Sequence, residues 1–215
     1  MEKINIITRT SGRPKTFDRC YRSIKNQTYK NINHIVLYDD YRSKEYLDQY
    51  KDIDAVLVDR DYLINTQTNR RLENLMIFKW APHNLYNNIG LERLKEGFYM
   101  FLDDDDYLRN NFVIQQLVNE LEDRDTLYVF QMDFNGVKVP SDDMIDRRKI
   151  ELFNIGSPCY LIPVKYKDSA FWDAFKCADY RYVRDISNVI PKTKFIKNIV
   201  AKIDMIGDGM KRDVA

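Results

Sequence analysis

The sequence predicts an α/β protein with a mainly parallel central sheet flanked by helices. Short apolar runs, typical of buried strands, alternate along the first half of the chain with amphipathic segments typical of helices. A strand–helix–strand alternation implies parallel pairing through right-handed crossovers. The chain has 215 residues, of which 44% are hydrophobic and 31% charged, and this suits one domain with a sizeable core.

The elements of the first half follow from their apolar patterns. Strands are predicted at 4–8, 34–38, 55–58 and 98–102. Helices are predicted between them, at 16–27, 43–50 and 85–95. The stretch 61–79 is polar and rich in Asn and Arg, and no element is assigned to it.

The second half is less regular. An amphipathic helix is predicted over 111–121. Two strands, at 127–130 and 137–139, flank Asn135-Gly136, which is a strong signal for a hairpin turn. Beyond Pro158 the pattern becomes aromatic, and a further helix is expected over 169–175.

Charge and cysteine content narrow the classes of protein. The chain carries 34 Lys and Arg against 33 Asp and Glu, so no global charge favours nucleic acid or an anionic membrane. No apolar run approaches the length of a membrane span. Three cysteines without a CxxC pair argue against a disulfide framework, so we expect a reduced, cytoplasmic setting. The polar ending leaves open that the chain is one domain of a longer polypeptide.

The segment from Phe98 to Asp106 carries the strongest chemical signal. An apolar strand runs directly into four adjacent aspartates, whose mutual repulsion a bound cation would relieve. Alternation along an extended strand predicts that Asp103 and Asp105 point to the same side. Oxygen ligands of this kind suit magnesium, manganese or calcium rather than zinc. The alternative interpretation is a solvated acidic loop, which is the commoner state of an isolated acidic run.

A second acidic pair, Asp39-Asp40, follows the apolar run 34–38. Carboxyl ends of parallel strands share one edge of a sheet, so both acidic groups are expected at one crevice. One carboxylate there can accept a hydrogen bond from a uracil or a ribose, and a metal held by another can bind a diphosphate. The crevice is therefore expected to bind a nucleoside diphosphate.

Four blocks in the first half resemble one enzyme family. Residues 6–14, IITRTSGRP, resemble the opening "hhhPTYNRP" of family 2 glycosyltransferases with the GT-A fold. Residues 23–31 are similar to its "SIxxQTYxN" segment, and residues 35–40 to its "hhVDDGS" strand. Residues 88–106 resemble "RNxGhxxAxGxYhxFLDxDD". The chain also resembles the glycosyltransferase domains of large DNA viruses such as the chlorella viruses.

The resemblance implies a GT-A fold with a small second sheet or hairpin. It implies a single domain whose residues 1–108 bind a nucleotide sugar and whose residues 109–215 bind the acceptor. By position, Thr10 and Asp39 would hold uracil, with Arg13 near the nucleotide. Asp103 would meet the ribose, and Asp105 would bind Mn²⁺ or Mg²⁺ together with Asp103. The other residues assigned to the donor site are Asn88 and Asp104.

Several positions depart from the family pattern. The proline after the first strand is Arg9 here, and the arginine before the NxG step is Asn87. Arg70 or Arg71 from the polar stretch is the expected substitute near the nucleotide. Where the family has "GS" after the second strand, this chain has Tyr41-Arg42, which leaves the role of that loop open.

The second half matches the family more weakly. The segment 156–158 resembles a loop that faces the acceptor, and 178–182 resembles the "ED" region that supplies the base of inverting members. Asp179 is therefore the candidate general base, with Asp173 and Asp185 as rivals. Trp172, Tyr180 and Tyr182 are candidates for stacking on sugars, or else members of the core.

The resemblance implies a metal-dependent glycosyltransferase that moves a sugar, with inversion, from a UDP-sugar to a glycan or glycoprotein hydroxyl. A haloacid-dehalogenase-like phosphohydrolase or phosphotransferase is an alternative, although it needs its nucleophile early in the chain. A sugar nucleotidyltransferase is another, although Ser11-Gly12-Arg13 makes a poor phosphate loop. A non-catalytic sugar- or metal-binding module is the third.

Overall fold

The computed structural model of the chain describes residues 1–67 and 78–203. Its strands are, in chain order, β1 (Ile4–Thr10), β2 (Ile32–Tyr38), β3 (Asp54–Leu57), β4 (Phe98–Phe101), β5 (Asp106–Leu108), β6 (Thr126–Phe134), β7 (Val137–Val139), β8 (Tyr160–Pro163) and β9 (Lys192–Ile203). Its α-helices are α1 (Pro14–Lys25), α2 (Tyr41–Leu47), α3 (Arg60–Gln67), α4 (Tyr86–Glu92), α5 (Val113–Asn119), α6 (Asp142–Asp146) and α7 (Ala178–Ser187). Single 3₁₀ turns are formed by Pro82–Leu85, Ser157–Cys159 and Val164–Tyr166.

The described residues form a nine-stranded sheet in the order β3-β2-β1-β4-β8-β6-β9-β5, with β7 added beside β6. The first four of these strands are parallel to one another. Strands β8 and β6 continue the sheet in antiparallel fashion, and β6 and β9 are parallel. The predicted α/β class with a mainly parallel front half is therefore confirmed.

Helices cover both faces of the sheet because side chains alternate along each strand. On β4, Phe98 and Met100 belong to a core with α1 and α5, whereas Tyr99 and Phe101 belong to a second core with α4 and α7. All four of these side chains are at most 1% exposed. Burial on both faces explains why the strand is continuously apolar in sequence.

The turn Asn135-Gly136 confirms the predicted hairpin. Both residues have positive φ, 51° and 85°, which is the backbone of a tight hairpin turn, and β6 pairs with β7 across them. The hairpin lies beside β6, which is separated from β4 by β8.

The prediction of a helix over 169–175 is wrong. This stretch is irregular, and Phe175 makes an antiparallel bridge with Trp80 instead. The helix begins later, at Ala178, where Cys177 in the left-handed region (φ 63°) redirects the chain. Strands β8 and β9 and helix α3 were not predicted, since β9 is largely half-buried and α3 lies in a polar stretch.

None of the helices in the described ranges combines the length and hydropathy that crossing a bilayer requires.

Candidate active site

The candidate site lies where the strand order of the sheet reverses. Strand β1 has β2 on one side and β4 on the other, so the connections leave β1 and β4 in opposite directions. In open α/β sheets such a reversal opens a crevice at the carboxyl ends of the strands. Arg9 and Thr10 end β1 at this crevice, residues 11–13 follow them, and Asp103 to Asp106 follow β4.

The four aspartates form a tight turn. The Asp106 N–H donates to the Asp103 carbonyl over 3.0 Å, and Asp106 then begins β5. The four aspartates therefore do not form an extended strand in which side chains alternate between the two faces. The prediction that such alternation places Asp103 and Asp105 on one side is wrong. Asp104, Asp105 and Asp106 are buried, at 0%, 8% and 6% exposure. Three closely spaced carboxyl groups inside the protein require positive partners.

Two arginines from the β1 end supply that positive charge. The Arg9 Nε and Nη2 donate to Asp103 Oδ1 and Oδ2 over 2.9 and 2.7 Å, a bidentate pair. Arg13 makes a second bidentate pair with Asp104, and its Nη1 also donates to Asp105 Oδ2 over 2.9 Å. The chain itself thus provides part of the compensation that the sequence assigned to a cation.

The pKa values of the carboxyl groups follow from this pairing. Burial pushes the pKa of Asp103 upward, but the pair with Arg9 outweighs it, so the net shift is downward. For Asp104 burial dominates and raises the pKa to about 7, against the opposing charge of Arg13. Burial and the neighbouring carboxylates raise the pKa of Asp106 well above its ordinary value. Asp103 is therefore the carboxyl group of this turn whose pKa is held down, by its pair with Arg9.

Asp104 and Thr10 are both too enclosed to offer side chains to a donor. Both Asp104 oxygens are taken by Arg13, and Oδ2 also accepts from the Thr10 hydroxyl over 2.7 Å. The Thr10 hydroxyl contacts the Tyr46 hydroxyl as well, at 2.6 Å. Asp104 therefore acts as the buried anchor of Arg13. A contact between Thr10 and a base would have to come from its main chain.

Asp39 and Asp40 have separate roles. Asp40 caps α2 by accepting from the Ser43 N–H over 2.7 Å. Asp39 Oδ2 accepts from the Tyr86 hydroxyl over 2.7 Å, whereas its Oδ1 is buried and has no hydrogen-bond partner within the described part of the chain. A buried carboxylate oxygen without a donor is costly, and a ligand N–H would satisfy it.

Asn88, predicted in the donor site, uses its amide within the protein. Its Nδ2 donates to the Trp172 carbonyl over 3.0 Å and to Gln67 over 3.2 Å, and its Oδ1 accepts from the Trp172 N–H over 3.0 Å. Asn88 is 7% exposed. This geometry favours a role in positioning the Trp172 segment over direct contact with a donor.

Asp179 faces the same crevice from the second half of the chain. It lies in the first turn of α7, and together with Arg9 and Asp103 it lines a cavity of about 190 Å³. Burial raises the pKa of Asp179 to about 6, with Arg9 acting in the opposite direction. A carboxylate with that pKa can accept a proton near neutral pH.

The rival bases are held in ion pairs. Asp173 receives two hydrogen bonds from Arg181, at 2.5 and 2.7 Å. The same guanidinium donates to the Phe175 and Lys176 carbonyls over 3.2 and 3.0 Å, which fixes the segment that leads into α7. Asp185 accepts from Arg184 over 2.7 Å. Asp179 alone of the three lines the cavity with Asp103.

Trp172 and Tyr182 belong to the core, which overturns the idea that they stack on sugars. They are 1% and 0% exposed, and their rings stack on each other at 5.1 Å between centroids. Phe101 packs edge-on against both. Tyr180 is half-buried. The aromatic cluster therefore supports β4 and α7, which carry the site.

Sequence reasoning missed several residues that line the cavity with Asp179. These are His83, Asn84 and Lys176 among others. Arg9 had been noted only as a departure from the family pattern, and that departure was the available signal. Arg70 and Arg71, expected near the nucleotide, lie outside the described residues.

Within residues 1–67 and 78–203, no group of three His, Cys, Asp or Glu side chains could hold a metal ion. Both Asp103 oxygens are bonded to Arg9, which speaks against Asp103 as a second metal ligand. Asp105 contacts Arg13 through its Oδ2, which accepts from Arg13 Nη1 over 2.9 Å. Magnesium sites often use one carboxylate and take their remaining ligands from substrate phosphates and water, and Asp105 fits such a site.

Solved structures with the same architecture are glycosyltransferases. Staphylococcus aureus TarS 1-349 in complex with UDP-GlcNAc superposes with a TM-score of 0.68 at 15% identity, covering 96% of this chain and 60% of that one. The mannosyltransferase PcManGT from Pyrobaculum calidifontis, in complex with GDP-Man and Mn²⁺, gives 0.66 at 13% identity, covering 97% and 58%. The chain has the GT-A fold. It spans about three fifths of the length of these GT-A structures.

Sequence comparison adds no closer assignment. No protein-family model matches the chain, and no curated protein matches its sequence.

Proposed function

We propose that the protein is a glycosyltransferase that moves a sugar from a nucleoside diphosphate to a hydroxyl group of a glycan or glycoconjugate. The observation that carries the proposal is that Asp103 and Asp179, from opposite halves of the chain, line one cavity at the switch point of the sheet. The GT-A structures in complex with UDP-GlcNAc and with GDP-Man support a nucleotide-sugar donor. We include in this proposal that the chain is related to the glycosyltransferase domains of large DNA viruses, which its sequence resembles.

The donor is proposed to be a UDP-sugar. The buried Oδ1 of Asp39 lacks a hydrogen-bond partner among the described residues, and the ring N–H of uracil would supply one. Asp103 is proposed to accept from the ribose, since it is ionised and the least buried of the four aspartates. Arg13 supports this end of the site by anchoring Asp104 and Asp105.

A divalent cation, Mn²⁺ or Mg²⁺, is proposed to bind with the donor, and Asp105 would hold it. When bound, such an ion stabilises the negative charge of a departing diphosphate. Asp105 is suited to this role because one of its oxygens is tied to Arg13, which fixes the carboxylate. PcManGT, which contains Mn²⁺, supports the choice of metal.

Asp179 is proposed to act as general base. Its carboxylate removes the proton from the acceptor hydroxyl as the acceptor oxygen attacks the anomeric carbon. The diphosphate leaves on the opposite face, so the anomeric configuration inverts. Because the Tyr180 N–H donates to Asp179 Oδ1 over 2.8 Å, the other carboxylate oxygen is left for the acceptor. General-base assistance of this kind contributes about 10²–10⁴ in rate.

The alternatives gain no support from the site. A haloacid-dehalogenase-like enzyme requires its nucleophilic aspartate early in the chain, whereas the carboxylates here follow β4 and are bonded to arginines. A nucleotidyltransferase requires a phosphate-binding loop after β1, whereas Gly12 N–H donates to Ser43 Oγ over 2.8 Å.

The test is a transfer assay with a panel of UDP- and GDP-sugars and Mn²⁺, in which released nucleoside diphosphate is measured with and without a glycan acceptor. We expect release from at least one donor, and we expect Asp179→Asn to lower acceptor-dependent release by about 100-fold or more while donor binding persists. Asp185→Asn is the matched control and should transfer normally. A wild-type protein that neither binds nor turns over any nucleotide sugar would contradict the proposal.

A further inference from the structure

Arg9 is held rigidly in the wall of the cavity. Its Nε and Nη2 bind both oxygens of Asp103, and its Nη1 donates to Asn84 Oδ1 over 2.7 Å and to the His83 carbonyl over 3.4 Å. The side chain is 13% exposed, and Asn84 is itself fixed by donating to the Phe175 carbonyl over 2.8 Å. A guanidinium tied at three of its edges keeps a single orientation.

These bonds leave one donor of Arg9 unused. A guanidinium has five N–H groups. One on Nε and one on Nη2 point to Asp103, and the two on Nη1 serve Asn84 and His83. The second N–H of Nη2 has no acceptor among the described residues. An orientated, partly buried donor of this kind favours a ligand oxygen.

The cavity beside Arg9 is the place where a transferred sugar has to lie. Its volume of about 190 Å³ is smaller than the roughly 300–1,000 Å³ pockets that hold drug-sized ligands, so it suits one sugar ring. Asp103 lines it on the donor side, and Asp179 lines it where the acceptor is activated. The anomeric carbon must lie between the leaving diphosphate and the base.

We propose that Arg9 binds the sugar of the donor: its free Nη2 N–H donates to a ring substituent oxygen, while Asp103 fixes the guanidinium. The inference rests on the proposed function. It assigns a role in sugar recognition to a position where family 2 sequences carry proline. A proline has no side-chain donor, so this contact would be particular to Arg9-containing chains.

A purely structural role for Arg9 makes different predictions. If Arg9 only neutralises Asp103, its removal leaves a partly buried carboxylate unpaired, and the nucleotide itself should bind less well. The defect should then be repaired when Asp103 loses its charge. If Arg9 contacts the sugar, the loss should be confined to ligands that contain a sugar, and the change at Asp103 should not repair it.

The experiment measures dissociation constants by calorimetry for UDP and UDP-GlcNAc, and for GDP and GDP-Man, in the presence of Mn²⁺. Wild type is compared with Arg9→Met, Arg9→Lys and the double variant Arg9→Met/Asp103→Asn. For the pair that the wild type binds, we expect Arg9→Met to weaken nucleotide-sugar binding about 10- to 100-fold. Binding of the matching nucleotide should change less than about threefold.

Arg9→Lys keeps the charge and one contact with Asp103 but lacks the planar set of guanidinium donors, so it should show the same sugar-selective loss of binding. It takes the place of Arg9→Met in the comparison if that variant does not fold. Three results would overturn the assignment of Arg9 without touching the proposed function. These are that Arg9→Met weakens the binding of nucleotide and nucleotide sugar equally, that the double variant recovers wild-type binding of the nucleotide sugar, or that Arg9→Met weakens neither. A wild-type protein that binds neither pair would overturn the proposed function, and the inference with it.

Discussion

At the scale of single residues, the environment of Asp179 determines the chemistry that we propose. Burial raises its pKa to about 6, and the positive charges of Arg9 and Arg181 limit the rise. The negative charge on Asp103 raises the pKa of Asp179, as burial does. The result is a carboxylate that is ionised near neutral pH but is still basic enough to accept a proton from a hydroxyl group.

The pKa of Asp179 predicts the pH dependence of transfer. The base is active when deprotonated, so the rate should fall as the pH drops through about 6 and should not depend on Asp179 well above that value. The measurement is the rate at saturating donor and acceptor on both sides of this pKa. In Asp179→Asn the residual transfer rate should no longer show this fall at low pH.

If the transfer rate of the wild type fell around pH 7 instead, the prediction would be contradicted, because that pH matches the pKa of about 7 of the buried Asp104.

At the scale of elements, the entry into β4 depends on the backbone of Gly97. Its φ is +86°, and a Cβ built there would lie 2.1 Å from the Lys3 carbonyl oxygen. That carbonyl accepts from the Phe98 N–H over 2.8 Å, which joins β4 to β1 at the strand's first residue. The close approach sets the start of the strand that ends at Asp103.

Gly97→Ala should therefore destabilise the fold strongly. Gly136 is the matched control, since it has nearly the same φ of +85° but nothing within 4 Å of a built Cβ. We expect Gly136→Ala to cost about 1–2 kcal/mol in free energy of unfolding, from backbone conformation alone. Gly97→Ala should cost about 3 kcal/mol or more, because the clash is added. Urea denaturation of both variants gives the comparison.

Equal costs for the two variants would mean that the Lys3 carbonyl moves aside, and that the contact does not constrain β4.

At the scale of the whole molecule, the site is assembled from segments far apart in sequence. Asp39 follows β2, Arg9 lies at the end of β1 and Arg13 just beyond it, and Asp103 to Asp106 follow β4. Asp179 comes from α7, which packs through Tyr182 against Tyr99 with a hydroxyl–hydroxyl contact of 2.6 Å. A ligand that contacts several of these segments would link the two halves of the fold.

Donor binding should therefore raise the thermal stability of the whole domain. At 100 times its dissociation constant a ligand stabilises by about 2.7 kcal/mol, which corresponds to a shift in Tm of about 5–10 °C for a chain of this size. We expect this shift with a UDP-sugar and Mn²⁺, and we expect chelation with EDTA to reduce it. Asp105→Asn should show the reduced shift with or without the chelator.

If the donor still raised the Tm by the full amount in EDTA, or in Asp105→Asn with Mn²⁺, the proposal that a metal binds at this site would be contradicted.

The α/β class, the four front strands and the hairpin were predictable because they depend on local patterns. Alternating apolar runs report burial on the two faces of a sheet, and Asn135-Gly136 reports its turn directly. Strand ends and family resemblance also predicted Asp39, Asp103 and Asp179 as site residues, and their roles stay predictions. Helix 169–175 failed because aromatic residues such as Trp172 pack in the core without a helix.

The sequence by itself determined the four front strands and where their charged ends lie, since hydrophobic periodicity is a local property of the chain. Only the tertiary structure decided which partners those charges have. Three of the four aspartates, which seemed to require a cation, are instead paired with arginines: Asp103 with Arg9, and Asp104 and Asp105 with Arg13. The physical reason is that ion pairing depends on distances between residues about 90 positions apart, which the order of strands β1 and β4 sets.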